Sequence, residues 1–247
     1  MKKVIYILVL LMLSCSGEKA GDCFESAGPL TQEEVTVPSF DKILVNRNIE
    51  LILKDGATQK VVVEAGQNSQ HDITATVTDG KLTLTDNNTC NFVRDYTSIK
   101  VYITSPNITE IRASTQYDVR SDGVLSYPSF TILSEDYNDP DGFPSANFYL
   151  QLDVTTFRVV FNNLSNCYVS GHATNLNVTL AAGTSRFEGR DLSADNVTIW
   201  NRSSNDMILN PQQSIKGKIS GIGNVICANK PPVVDVQELY RGRLIFE

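Results

Sequence analysis

From Val159 onward the sequence can be written as five lines in register: VVFNNLSNCYVSG from Val159, NVTLAAGTSRFEG from Asn177, NVTIWNRSSNDMIL from Asn196, GKISGIGNVICAN from Gly217 and QELYRGRLIFE from Gln237. Phe161, Leu180, Ile199, Ile219 and Leu239 then share one column at steps of 19, 19, 20 and 20 residues, and a period near twenty marks a repeat architecture. Seven residues further on, Tyr168, Phe187, Ile226 and Phe246 form a second apolar column, with Met207 one place late in the third line. Two short strands per repeat can therefore share one interior. The L-x-x-L-x-L spacing of leucine-rich repeats is missing, and Asn, Ser, Thr and Gly between short apolar runs favour an all-β solenoid.

Working outward, apolar residues alternate in short runs between Val35 and Ile111, which predicts half-buried strands. Asp55-Gly56 and Asp79-Gly80 stand between such runs and suit tight turns, so hairpins are expected over Leu51 to Val63 and Ile73 to Leu84. No long amphipathic helix is visible. Ile111 to Ile132 is a 21-residue step, compatible with a repeat that starts upstream of Phe161. The expected organisation is a signal segment over 1–14, a polar tether over 15–34 and one head domain over 35–247, divisible into 35–111 and 112–247.

Lys2 and Lys3 precede an apolar run from Val4 to Leu13, too short to span a bilayer and fitting an export signal. LMLSC from Leu11 resembles a bacterial lipobox, which implies acylation of Cys15 and a membrane anchored through buried methylenes, each contributing about 0.8 kcal/mol. An ordinary secretory signal cleaved nearby is the other reading. Formal charge is −7, becoming −9 without Lys2 and Lys3, so phosphate backbones are repelled and no nucleic-acid partner is expected.

Several turn and strand patterns carry a family resemblance. FDKILVNRNIELILKDGATQKVVVEAG from Phe40, NNTCNFVRDY from Asn87, TSPNITEIRAS from Thr104 and SGIGNV from Ser220 resemble the auto-transporter adhesin head GIN domain family, found in Bacteroidetes lipoproteins. The resemblance implies a right-handed β-helix-like fold on the cell envelope with no catalytic residues to transfer, and the hairpins read above make its amino-terminal half hairpin-rich. Where many relatives show Ser-Gly-Ser-Gly this chain has Ser220-Gly221-Ile222-Gly223, and Ile222 is expected to turn inward or pack locally.

With Cys15 acylated, Cys23, Cys90, Cys167 and Cys227 remain, and four thiols allow three complete pairings. A Cys23 to Cys90 bond would pin the tether to the first sheet, and two unpaired thiols are the alternative. Cys167 and Cys227, beside Tyr168 and Ile226, suit packing as small apolar residues. His71 and His172 stand far apart with no second imidazole at ligand spacing, and no C-x-x-C occurs, so no metal or cofactor is expected. Glu135, Asp136, Asn138, Asp139 and Asp141 supply oxygens for calcium, but Pro140 occupies a ligand position of that pattern, which favours a solvated loop over 134–145. No G-x-S-x-G elbow, P-loop or dinucleotide fingerprint is present.

Two surface readings follow. Glu188, Asp191 and Asp195 with Arg186 and Arg190 could serve a polysaccharide-active enzyme, though nothing in the spacing fixes the two-carboxylate geometry such chemistry needs. One place after the first column stand Asn162, Ala181, Trp200, Ser220 and Tyr240, so Trp200 is expected to point outward beside small neighbours, with Tyr240 on the same surface. A Trp200 covered by the 134–145 loop is the plainer outcome. The function expected is a non-enzymatic, outer-membrane-anchored envelope lipoprotein that docks an unknown protein or glycan; a polysaccharide-active enzyme and a structural or signalling envelope protein are the alternatives.

Overall fold

The computed structural model describes residues 26–88, 99–137 and 142–247. Alternating side chains put most of these residues in β-strands, with one short 3-10 helix at Gln67–Asp72. The strands assemble into two ladders that face each other across one apolar interior. The first ladder runs β5 (Ile73–Thr78), β6 (Lys81–Asp86), β2 (Lys42–Val45), β8 (Glu110–Ala113) and β10 (Ser129–Ser134). The second runs β1 (Leu30–Glu34), β4 (Lys60–Gly66), β7 (Ile99–Ser105), β3 (Ile49–Asp55) and β9 (Val119–Leu125). Four long strands then serve both: β11 (Asn147–Phe161), β12 (Asn166–Leu180), β13 (Arg186–Asn201) and β14 (Met207–Ile219), all parallel. On β14 the first ladder ends in β16 (Val233–Glu238), and the second ends in β15 (Val225–Cys227) and β17 (Leu244–Phe246).

Parallel register stacks like side chains over one another. Leu82, Ile43, Ile111, Ile132, Val159, Val178 and Ile199 form one unbroken buried column. Opposite it run Val63, Val101, Leu51, Val119, Phe148, Cys167, Phe187, Met207 and Val225. Phe148 and Phe161 stack across the interior at 5.2 Å between ring centroids, and Phe130 and Phe157, neighbours on β10 and β11, stack at 5.9 Å. Each fully buried Phe contributes roughly 1.5–3 kcal/mol relative to exposure. In the turn after β13, Asn201 Nδ2 donates to Gly223 O at 3.1 Å, and Asn201 Oδ1 accepts from the Ser203 amide at 3.0 Å.

Several expectations change. The sheet starts at Leu30 rather than near Val35, because β1 pairs antiparallel with β4. Leu51 to Val63 is no hairpin: β7 lies between β3 and β4, parallel to the first and antiparallel to the second. The Gly56 amide instead donates to Ser105 O at 3.2 Å as the connection crosses the end of β7. Ile73 to Leu84 is a hairpin, with Asp79 and Gly80 both at positive φ (51° and 73°) in a two-residue turn. The 21-residue step is real, since Ile111 pairs with Ile132.

The two sequence columns have mostly the right face and partly the wrong register. Phe161 pairs with Leu180, but Leu180 pairs with Asn201, while Ile199 lies beside Val178. Leu239 falls in the bend after β16 and is 59% exposed. In the second column Cys167 faces inward and Tyr168 outward, as a one-residue slip reverses the face of every side chain. Val225 and Cys227 likewise point inward with Ile226 between them. Ile222 is 51% exposed at a turn tip rather than packed. Both described cysteines are buried and free.

Candidate ligand-binding face

On the first ladder the residues between inward aliphatics point to the outer face, and parallel register lines them up. Arg112, Leu133, Val160, Thr179, Trp200 and Lys218 form one such row. From Arg112 to Trp200 the row lines a groove of about 520 Å³, together with Tyr137 and Glu135. Glu135 is held by Arg112 at 2.5 Å and accepts from the Tyr137 amide at 2.7 Å. Asp136 accepts from Asn162 Nδ2 at 2.7 Å, which ties the same loop to the end of β11. Trp200 is half-buried, and its Nε1 donates to Ser220 Oγ at 3.0 Å, which fixes the ring. Lys218 Nζ lies 4.6 Å from the ring centroid on the β14 side. Toward β12 the neighbours are Thr179 and Ala181, which are too small to cover an indole. Glu135 and Tyr137 thus border the groove, and Trp200 lines it beside Ala181.

The second ladder carries a different outward row: Arg120, Tyr149, Tyr168, Glu188, Ile208, Ile226 and Ile245. Tyr149 and Tyr168 stack at 5.1 Å with 9° between ring planes, and the Arg120 guanidinium sits 4.2 Å from the Tyr149 centroid. A groove of about 470 Å³ runs along these rings past Glu188, Arg190 and Asp191. Arg186 binds Glu188 at 2.7 Å, and Arg190 binds Glu247 at 2.5 Å. Asp195 lies apart from this groove, 4.0 Å from His172, so the proposed carboxylates are only partly brought together. Reading Tyr168 as an inward residue hid this groove; the signal available was Tyr149 and Tyr168 at the 19-residue repeat step.

Tyr240 lies in the bend between β16 and β17, 55% exposed, and does not line the Trp200 groove. His71 is on the surface beside Asp72, and His172 lies 3.7 Å from Asp153. Among the described residues no three His, Cys, Asp or Glu side chains converge as a metal site. Cys15, Cys23, Cys90, Asn138, Asp139, Pro140 and Asp141 fall outside the described residues.

The described residues thus form an all-β body of stacked ladders that bears open grooves. The chain belongs to the family described as "Putative auto-transporter adhesin, head GIN domain", whose pattern matches residues 39–231. In fold it is similar to a putative adhesin from Bacteroides fragilis NCTC 9343, at 19% identity and TM-score 0.79, covering 90% of this chain and 100% of that one. It is also similar to a putative adhesin from Parabacteroides merdae ATCC 43184, at 16% identity and TM-score 0.63, covering 89% and 97%. A protein from Parabacteroides distasonis ATCC 8503 described as a putative lipid binding protein matches at 14% identity and TM-score 0.62, covering 88% and 97%. No curated protein matches the chain.

Proposed function

We propose that the protein is a non-enzymatic binding module of the cell envelope, held at the outer membrane through acylated Cys15, that captures its partner in the Trp200 groove. The parallel layers support reading the head as a right-handed β-helix-like solenoid, the hand that parallel crossovers adopt. Such a body offers a rigid face on which small changes of side chain set specificity. The observation that carries the proposal is the indole of Trp200, fixed by Ser220 and opening over Thr179 and Ala181. Aromatic anchors in preformed grooves supply most of the energy of many interfaces. Trp200→Ala is expected to weaken capture of envelope or host-surface glycans and proteins at least tenfold on an immobilised panel while leaving the thermal midpoint within a few degrees. An unchanged binding profile would end the proposal. Acylation is tested separately, by the mass of the mature amino-terminal peptide and by release of a Cys15→Ala protein into the soluble fraction.

A second reading has one observation in its favour, the placement of Glu188 and Asp191 in the tyrosine-lined groove. A polysaccharide-active enzyme would release reducing ends from a polymer and lose that activity in Glu188→Gln. Stable capture without turnover favours the binding module.

A further inference from the structure

We infer that the ligand of the Trp200 face is an acidic polysaccharide whose sugar rings carry carboxylates. The inference deepens the binding reading above and rests on it. Across β11 to β14 the first ladder presents three parallel outward rows. They are Thr156, Asn175, Asn196 and Ser214; Arg158, Asn177, Thr198 and Lys216; and Val160, Thr179, Trp200 and Lys218. Of these twelve positions three are cationic, none is anionic and seven carry a hydroxyl or amide, in a chain of formal charge −7. Along the Arg158 row the nearest carboxylates are Glu110 and Asp235, beyond the face at either end. Glu135, at the groove wall, is bound to Arg112.

Arg158 is exposed, lines the groove beside Val160, and forms no ion pair among the described residues. Its planar fork matches a carboxylate bidentately, which an ammonium cannot do. The Trp200 ring offers an apolar platform for the C–H face of a pyranose. Neighbouring layers lie about 4.8 Å apart, comparable to one sugar unit, so Thr and Asn side chains meet successive hydroxyl groups along a chain laid on the ladder. A peptide would leave these rows of short polar side chains with fewer hydroxyl partners.

The test uses the full protein with oligogalacturonate, the same oligomer after reduction of its carboxyl groups, and poly-glutamate of matched charge, titrated calorimetrically at low and raised salt. Oligogalacturonate is expected to bind, to weaken as salt screens the contact, and to lose about tenfold or more in Arg158→Gln and in Trp200→Ala. Thr179→Trp, which fills the groove, is expected to do the same with the fold checked by circular dichroism. The reduced oligomer and poly-glutamate are each expected to bind at least tenfold more weakly. Equal binding of the reduced oligomer, still dependent on Trp200, overturns the acidic ligand and leaves the groove reading standing. Poly-glutamate bound as tightly as the uronate overturns the glycan. Uronate binding that persists in all three variants overturns both the inference and the groove reading, and absence of uronate binding to the unmodified protein overturns the inference.

Discussion

In the column Phe148, Cys167, Phe187 a thiol stands between two aromatic rings, and its small volume lets both rings keep the layer spacing. Burial pushes the Cys167 thiol far above its ordinary range and Cys227 up to about 12. Burial, then the nearby Asp55 carboxylate, raises Tyr127, whose hydroxyl donates to Ser105 O at 3.1 Å. A raised folded pKa means that the unfolded chain loses its proton first. Stability from these groups is therefore complete below about pH 8.5, the free thiol value, and lost as pH rises toward the folded values. Urea midpoints are expected to fall from pH 9 upward, by at most about 1.4 kcal/mol per pH unit for each thiol. Cys227→Ala should flatten that slope, and an unaltered slope would mean the thiol is not shielded. Asn201 poses the opposite problem, a buried amide between Leu180 and Ile219. Asn201→Leu matches the column but strands the Ser203 amide and Gly223 carbonyl, so a loss of roughly 2–3 kcal/mol is expected. A gain in the urea midpoint would show that water reaches that turn.

The strand connections decide what the sequence could reveal. Gly56 was legible as a turn residue, yet it serves clearance and not a positive φ: a Cβ there would lie 2.6 Å from Thr104 Cγ2, where the chain crosses β7. Gly56→Ala is expected to cost roughly 1–2 kcal/mol through overpacking, and Thr104→Ser, which removes that methyl, should restore most of it in a double-mutant cycle. Additive effects would place the cost elsewhere. Face was legible in the first column from Phe161 to Ile219 because alternation has period two, and Ile199 stays inward even though it lies two residues from its expected partner. Register was not. The turn Ala181 to Ser185 is longer than that at Asn162 to Ser165, and a bulge in β13 between Glu188 and Leu192 adds to the offset. Tyr168 was misread because its bulk outranked the adjacent cysteine in an apolar count. The groove wall at Trp200 was hidden for another reason: the 21-residue step aligns β8 with β10, but no sequence pattern shows that Glu135, just past the end of β10, turns back onto Arg112.

At the scale of the molecule, the layers are not stacked in chain order. The β2 and β3 layer lies between the β6 and β7 layer and the β8 and β9 layer, so Ile43 sits on Ile111 across 68 positions of sequence. A periodicity search follows the carboxy-terminal repeat and cannot see such an insertion. The two ends also differ. At the amino end β5 and β1 close the ladders with antiparallel strands. At the other end β16 and β17 each pair on one side only, and Val233, Val234 and Ile245 are 48%, 41% and 42% exposed. Stability in a stacked architecture is close to a sum over neighbouring layers, and a layer with one neighbour and little burial opens at low free energy. Amide hydrogen exchange is therefore expected to be fastest in β16 and β17, and slowest in β12 and β13, which have long partners on both sides and, in the neighbouring β11, the buried Phe148, Phe157 and Phe161 rings. Protection in β16 equal to that in β12 would require the terminal edge to be covered in solution, and the same measurement repeated across protein concentration would then identify a second copy of the chain as the cover.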